Sequence, residues 1–147
     1  MQYTLVTAGP ESLEHVLSLL RQNHLPTDGV AENFACFILA VSGNTVIGAV
    51  GLECHGDQAL LRSLVVCPEC RSRGVGEALV KACIQKAKDN RCRELYLLTT
   101  TAADYFTRFG FERLDRSLVS GRVLESGEFK HVCPCTATVM LKRLLTP

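Results

Sequence analysis

Over residues 2–7 the side chains alternate, Tyr3 and Leu5 against Thr4 and Val6, which is the period of a strand. Gly9-Pro10-Glu11 then signals a helix start, with proline at the first position and an acid in the first turn. Leu13, Val16, Leu17 and Leu20 recur at helical spacing, so this helix turns one face to the core and runs out near Asn23. Leu25-Pro26-Thr27-Asp28-Gly29 has turn chemistry throughout, as a loop or a short broken helix. Two β-prone apolar runs, residues 34–41 and 45–53, are joined by Ser42-Gly43-Asn44 and read as a hairpin. A second turn, His55-Gly56-Asp57, leads into a third run over residues 59–66. Three antiparallel strands in succession are expected.

From Gly74 the period becomes helical: Val75, Leu79, Ala82, Cys83 and Ala87 fall on one side, with Glu77 and Lys81 an i,i+4 pair outside. Asp89-Asn90 ends that helix. Residues 94–100 form another apolar run, and a strand–helix–strand link back to residues 59–66 demands a parallel, right-handed crossover. A short helix over residues 102–109 stops at Gly110, residues 111–115 suit a strand, and residues 136–144 suit the last one. The polar stretch between them, through Lys130, has no assignable period. The fold class is α/β (α+β): a mixed, mostly antiparallel sheet of about six or seven strands with helices on both faces. No repeat, low-complexity tract or linker interrupts it, so residues 1–147 are expected to form a single domain.

Composition narrows the function. A chain of 147 residues that is 47% hydrophobic and 21% charged buries a sizeable core. A formal net charge of +1 offers no positive field for nucleic acid or anionic lipid. No apolar run is long enough to span a bilayer. Met1-Gln2-Tyr3-Thr4 lacks the basic start and apolar core of a signal peptide, so a cytoplasmic protein is expected. In that setting the eight cysteines are expected to be reduced thiols, with Cys36, Cys54 and Cys83 as small core hydrophobes.

One stretch carries candidate chemistry: Val66-Cys67-Pro68-Glu69-Cys70-Arg71-Ser72-Arg73-Gly74-Val75-Gly76. It lies where a strand gives way to a helix. The helix N-terminus offers unpaired N–H donors and partial positive charge, Gly74 and Gly76 allow close approach, and Arg71 and Arg73 add full charges. This is an anion site suited to phosphate. It has neither the Gly-Lys-Ser/Thr ending of a nucleotide-hydrolysing P-loop nor the Gly-x-Gly-x-x-Gly of dinucleotide folds.

The stretch resembles the acetyl-CoA motif of the Gcn5-related N-acetyltransferase superfamily, Gln/Arg-x-x-Gly-x-Gly/Ala after a Val-x-Pro strand end. Ala103 followed by Phe106-Thr107-Arg108-Phe109-Gly110-Phe111 is similar to that superfamily's second cofactor-side motif. The two motifs and the element order cover nearly the whole chain. Leu97-Leu98-Thr99-Thr100-Thr101-Ala102, with Tyr105-Phe106 and Gly110-Phe111, resembles the catalytic domain of N-acetylglutamate synthases. Leu25-Pro26-Thr27, Leu61-Arg62-Ser63-Leu64 and Cys133-Pro134 before Thr136-Ala137 look most like the small acetyltransferases of arsenic-resistance operons. These resemblances imply acetyl-CoA as co-substrate, no metal, and a small amino-acid-like amine as acceptor. No nucleic acid or membrane partner is implied, and a homodimer is left open.

Carried over residue by residue, the resemblance gives the backbone of Leu64, Val65 and Val66 to the pantetheine arm. Arg71, Ser72, Arg73, Gly74, Val75 and Gly76 go to the pyrophosphate. The Val66 N–H would face the thioester carbonyl as an oxyanion donor. For the base, Glu53, His55 and Asp57 cluster at a hairpin end, with Glu53 first; a solvated turn is the plain alternative. Where many relatives carry the tyrosine that protonates the leaving thiolate, this chain has Phe106. Tyr105 beside it is rotated by about 100° along a helix, so Tyr105 is either a buried ring or an acid in a different geometry, and a water or Thr100 is otherwise left for that role. Arg62, unusual in an apolar strand, either binds a substrate carboxylate with Ser63 or pairs with a structural acid. Arg108 either meets cofactor phosphate or is a surface cation. Cys67/Cys70 and Cys133/Cys135 suit a four-sulfur metal or metalloid site only if the fold unites them. Other functions left standing are acetylation of a protein N-terminus, a non-catalytic acyl-CoA sensor and a thiol-based metalloid-binding protein.

Overall fold

The computed structural model describes residues 2–132 and 137–144. In chain order the strands are β1 (Thr4–Thr7), β2 (Phe37–Ser42), β3 (Thr45–His55), β4 (Gln58–Val66), β5 (Glu94–Thr99), β6 (Glu112–Leu114) and β7 (Thr138–Arg143). The helices are α1 (Leu13–Gln22), α2 (Val75–Asp89) and α3 (Ala103–Thr107). The strands hydrogen-bond in the order β1-β2-β3-β4-β5-β7-β6. β4 and β5 are parallel, with Ala59 opposite Leu95, as the crossover demands. The pairs β1–β2, β2–β3, β5–β7 and β6–β7 are antiparallel. This is the mixed sheet of six or seven strands expected from the sequence.

The chain divides into two compact units: residues up to 52 with 63–83, and residues 53–62 with those from 84 onward. In the first, Val16, Leu19 and Leu20 of α1 are buried with Val30, Phe34, Phe37, Leu39, Ala49 and Val65. Burial of side chains this size contributes roughly 1.5–3 kcal/mol each, before entropy is counted. The β2–β3 hairpin closes through Gly43-Asn44, with Gly43 at φ +62° as a tight turn requires. β2 starts three residues later than the apolar run suggests. Asn33 holds the Gly29 carbonyl through its side chain at 2.8 Å, and Phe34–Cys36 forms a 3-10 turn that stacks Phe34 on Phe37.

In the second unit, Leu60, Tyr96, Val119, Val123, Val139 and Leu141 make a separate core. The stretch with no legible period becomes three short turns: Arg116–Leu118 and Arg122–Glu125 are 3-10, and Glu128–Val132 is π. Gln58 pins the middle one. Its amide donates to the Ser120 carbonyl at 2.7 Å and accepts from the Val123 N–H at 3.0 Å. No described helix is long and apolar enough to cross a membrane.

Candidate active site

Two constellations of predicted residues take shape, one in each unit.

The first is the strand-to-helix loop after β4. Cys67 leaves the strand with its N–H on the Ile47 carbonyl at 2.8 Å, and a 3-10 turn, Pro68–Cys70, follows. Arg71 then doubles back. Its Nε donates to the Val66 carbonyl at 3.2 Å and its Nη2 to Asn23 Oδ1 at 2.7 Å. Arg71 therefore braces the loop, while Arg73 stands exposed. Ser72 and Gly74 are both left-handed, at φ +66° and +80°. A Cβ on Gly74 would meet nothing within 4 Å, so glycine answers a torsional demand there and the space above the backbone is open. Gly74 starts α2 by accepting the Ala78 N–H at 3.0 Å, and Val75 is 1% exposed. Gly48 makes room for this helix start: a Cβ there would lie 3.0 Å from Leu79 and from the Val65 carbonyl. Leu64, Val65, Val66, Ser72 and Gly76 flank or form the same turn, and Ser63 sits in the left-handed region at φ +59°.

The second constellation is a buried polar cluster at the β3–β4 hairpin. Glu53 and Arg62 are each 6% exposed. Arg62 Nη1 meets Glu53 Oε2 at 3.1 Å, and its Nη2 meets Glu128 Oε1 at 3.1 Å. Of the two readings open for Arg62, the structure shows the pairing with acids, and there are two of them. His55 Nε2 lies 2.8 Å from Glu53 Oε1, with the imidazole only 16% exposed. Burial acts to raise the Glu53 carboxyl pKa, but hydrogen bonds from Ser126, His55 and Arg62 outweigh it and hold the group below its ordinary value. An ionised carboxylate only accepts, so in this bond His55 Nε2 is the donor. Asp57 is exposed at the turn. Among the described residues, no fully buried side-chain nitrogen or oxygen lacks a hydrogen-bond partner.

Glu128 and Ser126 were not found from the sequence, because they lie in the aperiodic stretch. Their signal was indirect: a buried arginine requires carboxylates, and the Gln58 pin sets residues 120–128 where Ser126 and Glu128 reach β3 and β4.

Thr99 accepts the Ala102 N–H on Oγ1 at 2.9 Å, which ends β5 one residue before Thr100 and leaves Thr100 exposed. Phe106 is 6% exposed and packs edge-on to Phe111, so the ring at the family's tyrosine position is a core residue. Tyr105 is half-buried between Phe106 and Phe109, and the Arg108 guanidinium lies 5.3 Å over its ring. Among the described residues no group of three or more His, Cys, Asp or Glu is placed to hold a metal ion. Cys133, Pro134, Cys135 and Thr136 lie outside those residues. Of the three cysteines expected in the core, only Cys83 is buried: Cys36 is half-buried and Cys54 is exposed near the end of β3.

Residues 33–113 match the model of a family described as acetyltransferase (GNAT) domain. Compared with curated protein sequences, the chain has no match. Among solved structures it is similar to N-acetylglutamate synthase from Neisseria gonorrhoeae, complexed with coenzyme A and N-acetyl-glutamate. Identity is 18% and the TM-score 0.83, covering 99% of this chain and 36% of that one. It is also similar to Rv2747 from Mycobacterium tuberculosis in complex with CoA, at 20% identity and TM-score 0.82, covering 97% and 99%. A third likeness is to the ribosomal-protein-S18-alanine N-acetyltransferase from Escherichia coli, at 15% and 0.76, covering 99% and 96%. The chain thus spans 36% of the synthase chain but nearly all of the other two. At such identities the likeness is one of fold.

Proposed function

The chain belongs to the acetyltransferase (GNAT) domain family, and from that premise we propose that it moves an acetyl group from acetyl-CoA to the amine of a small amino-acid-like molecule. The observation that carries this reading is the turn through Ser72 and Gly74, which opens onto the start of α2 in the family's Arg-x-x-Gly-x-Gly pattern. A helix start with open space above left-handed backbone suits a pyrophosphate, and exposed Arg73 adds charge. Arg71 serves by holding the loop to Val66 and Asn23.

Acetyl-CoA, when bound, supplies an activated acyl thioester. The chain's part is to hold it, receive the amine's proton and stabilise negative charge. Glu53 is a poor proton acceptor because three hydrogen bonds stabilise its ionised form. His55 is the better base: Glu53 fixes its ring through Nε2, and Nδ1 takes the proton directly or through a water. Arg62 and Glu128 position Glu53. The Val66 N–H is assigned to the developing oxyanion. Thr100 and half-buried Tyr105 are the side chains assigned to the departing thiolate. A thiolate leaves readily near neutral pH, so this last group contributes little.

Support for a small acceptor comes from the N-acetylglutamate synthase, whose complex contains N-acetyl-glutamate. The Escherichia coli enzyme, named for a ribosomal protein, keeps a protein N-terminus as the competing acceptor. Thiol release from acetyl-CoA, screened across free amino acids, small amines and short peptides with free N-termini, separates the two. Turnover with free amino acids or their analogues is expected. Turnover with peptides alone overturns the small-molecule reading, and absence of acetyl-CoA binding at ~1 mM by calorimetry overturns acetyl transfer itself.

A further inference from the structure

The sheet ends in two strands of unlike character, β6 and β1. β6 carries Glu112 and Arg113, and Arg113 is tied to Asp104 at 2.8 Å. Charge on an edge strand guards it against pairing with a further strand. β1 has no such guard. From Gln2 to Pro10 the sequence contains no Lys, Arg, Asp or Glu. The register of β1 with β2 runs unbroken from Thr4–Val41 to Thr7–Ile38, so its outer edge is straight. All four of its residues are exposed, Leu5 at 36% and Val6 at 41%.

The Ala8 N–H donates to the Phe37 carbonyl at 3.0 Å, which sets the direction of the backbone groups before it. Those groups alternate sides along an antiparallel strand, so Val6 and Thr4 turn theirs to Leu39 and Val41 of β2. Tyr3, Leu5 and Thr7 turn theirs outward, away from β2.

We propose that this edge is an interaction surface for a second copy of the chain, the two β1 strands pairing antiparallel about a two-fold axis at Leu5. Three outward residues spaced evenly about a central one are self-complementary. Leu5 exchanges N–H and C=O bonds with the partner's Leu5, Tyr3 with the partner's Thr7, and Thr7 with the partner's Tyr3. Every outward backbone group of the three is then used. A slip of two residues either way leaves one of the three unpaired in each copy. The same axis sets Leu5 against the partner's Leu5 on one face and Thr4 against the partner's Val6 on the other. A two-fold axis also sets any charge beside it against its own copy. The uncharged run of residues 2–10 therefore suits a second copy better than a strand of a different protein. Interfaces carry about one hydrogen bond per 100–200 Å², so roughly six bonds correspond to about 600–1,200 Å². That is the small end of specific interfaces, and the dimer is weak and reversible.

The test is sedimentation equilibrium in reductant, from about 10 μM to about 1 mM chain. Weight-average mass should climb across that range from monomer toward dimer. Leu5→Lys and Leu5→Glu each set like charges across the axis, and each should weaken association by about tenfold. An equimolar mixture of the two should recover the dimer, because residue 5 meets its own copy only in this register. Leu5→Pro removes the central outward N–H and leaves the bonds to β2 in place. It should give a monomer with the circular dichroism of the wild type. Wild-type chain that stays monomeric to ~1 mM overturns the proposal, whether or not an unrelated extended peptide binds the edge. So does a dimer that Leu5→Lys and Leu5→Pro leave intact, or a mixture of Leu5→Lys and Leu5→Glu that remains monomeric.

Discussion

The loop of residues 66–76 and the cluster around Arg62 achieve order by opposite means. In the loop the backbone does the positioning: two left-handed residues, Ser72 and Gly74, turn the chain, and Arg73 extends into solvent. In the cluster the side chains do it. Glu53, Arg62, Ser126 and Glu128 are buried, and the Arg62 guanidinium sits between the two carboxylates. Apart from the brace that Arg71 provides, a region built from backbone torsion tolerates exchange of exposed side chains but not of its glycine. A region built from buried charge tolerates neither loss nor neutralisation of one member. Each half of this contrast has a substitution that breaks it.

The largest effect belongs to Arg62. Its removal in Arg62→Ala leaves two carboxylates buried with no guanidinium between them, a situation that costs about 3–5 kcal/mol. Urea unfolding at pH 7 reads this directly. A loss below about 1 kcal/mol would mean that the cluster relaxes into solvent and is not the rigid unit described.

Glu53→Gln is next, at about 1.5–3 kcal/mol, because the amide keeps the shape and loses charge-assisted hydrogen bonds to His55 and Arg62. Its pH dependence has a definite sign. The folded carboxyl lies below its ordinary value of 4.5, so its stabilisation is complete above that value and is lost as pH falls through the lower, folded one. The stability gap between wild type and Glu53→Gln should therefore be flat from pH 7 to about 5 and narrow in more acid solution. A gap that widens toward acid would contradict the hydrogen-bonding assigned to Glu53.

The contrast also explains what could be read in advance. Strand and helix assignments rest on local periodicity, and α2 bears this out: Val75, Leu79, Cys83 and Ala87 are buried and Glu77 meets Lys81 at 3.8 Å. The loop was legible for the same reason, since its glycines and arginines are contiguous. Arg71 was only half legible, because its charge is plain in sequence but its engagement with Asn23 is a tertiary fact. Arg62 was legible as a buried charge in need of a partner. Glu128 was not, as it lies 66 residues away among aperiodic turns that Gln58 holds in place. His55 and Glu53 are neighbours on one strand face, but the ionised state of Glu53 also depends on Ser126 and Arg62, which local periodicity does not place beside it.

A smaller effect tests the backbone half. Gly74→Ala forces a Cβ into a left-handed residue at a cost of roughly 1–2 kcal/mol, with no steric clash to add. Gly43→Ala is its natural control: φ is +62°, and nothing stands within 4 Å of the new carbon. Both should lower stability alike in urea. Only Gly74→Ala should weaken acetyl-CoA binding in calorimetry, since Gly43 turns a hairpin remote in sequence from the loop. Equal weakening by both would remove the special standing of the α2 entrance.

The smallest effect is the most discriminating. Arg73 is exposed, so Arg73→Gln should change stability by no more than about 0.5 kcal/mol. Acetyl-CoA affinity should fall by roughly two- to fivefold, the value of one exposed charge pair at about 0.5–1 kcal/mol. That loss should shrink as salt rises to ~1 M, where the Debye length falls to about 3 Å. Were affinity unchanged at low salt, the N–H groups at the start of α2 would carry the phosphate unaided, and the loop would be a site of backbone alone. Were the loss larger and insensitive to salt, Arg73 would be contacting the ligand in a desolvated setting, and the loop would share more with the buried cluster than its exposed arginine suggests.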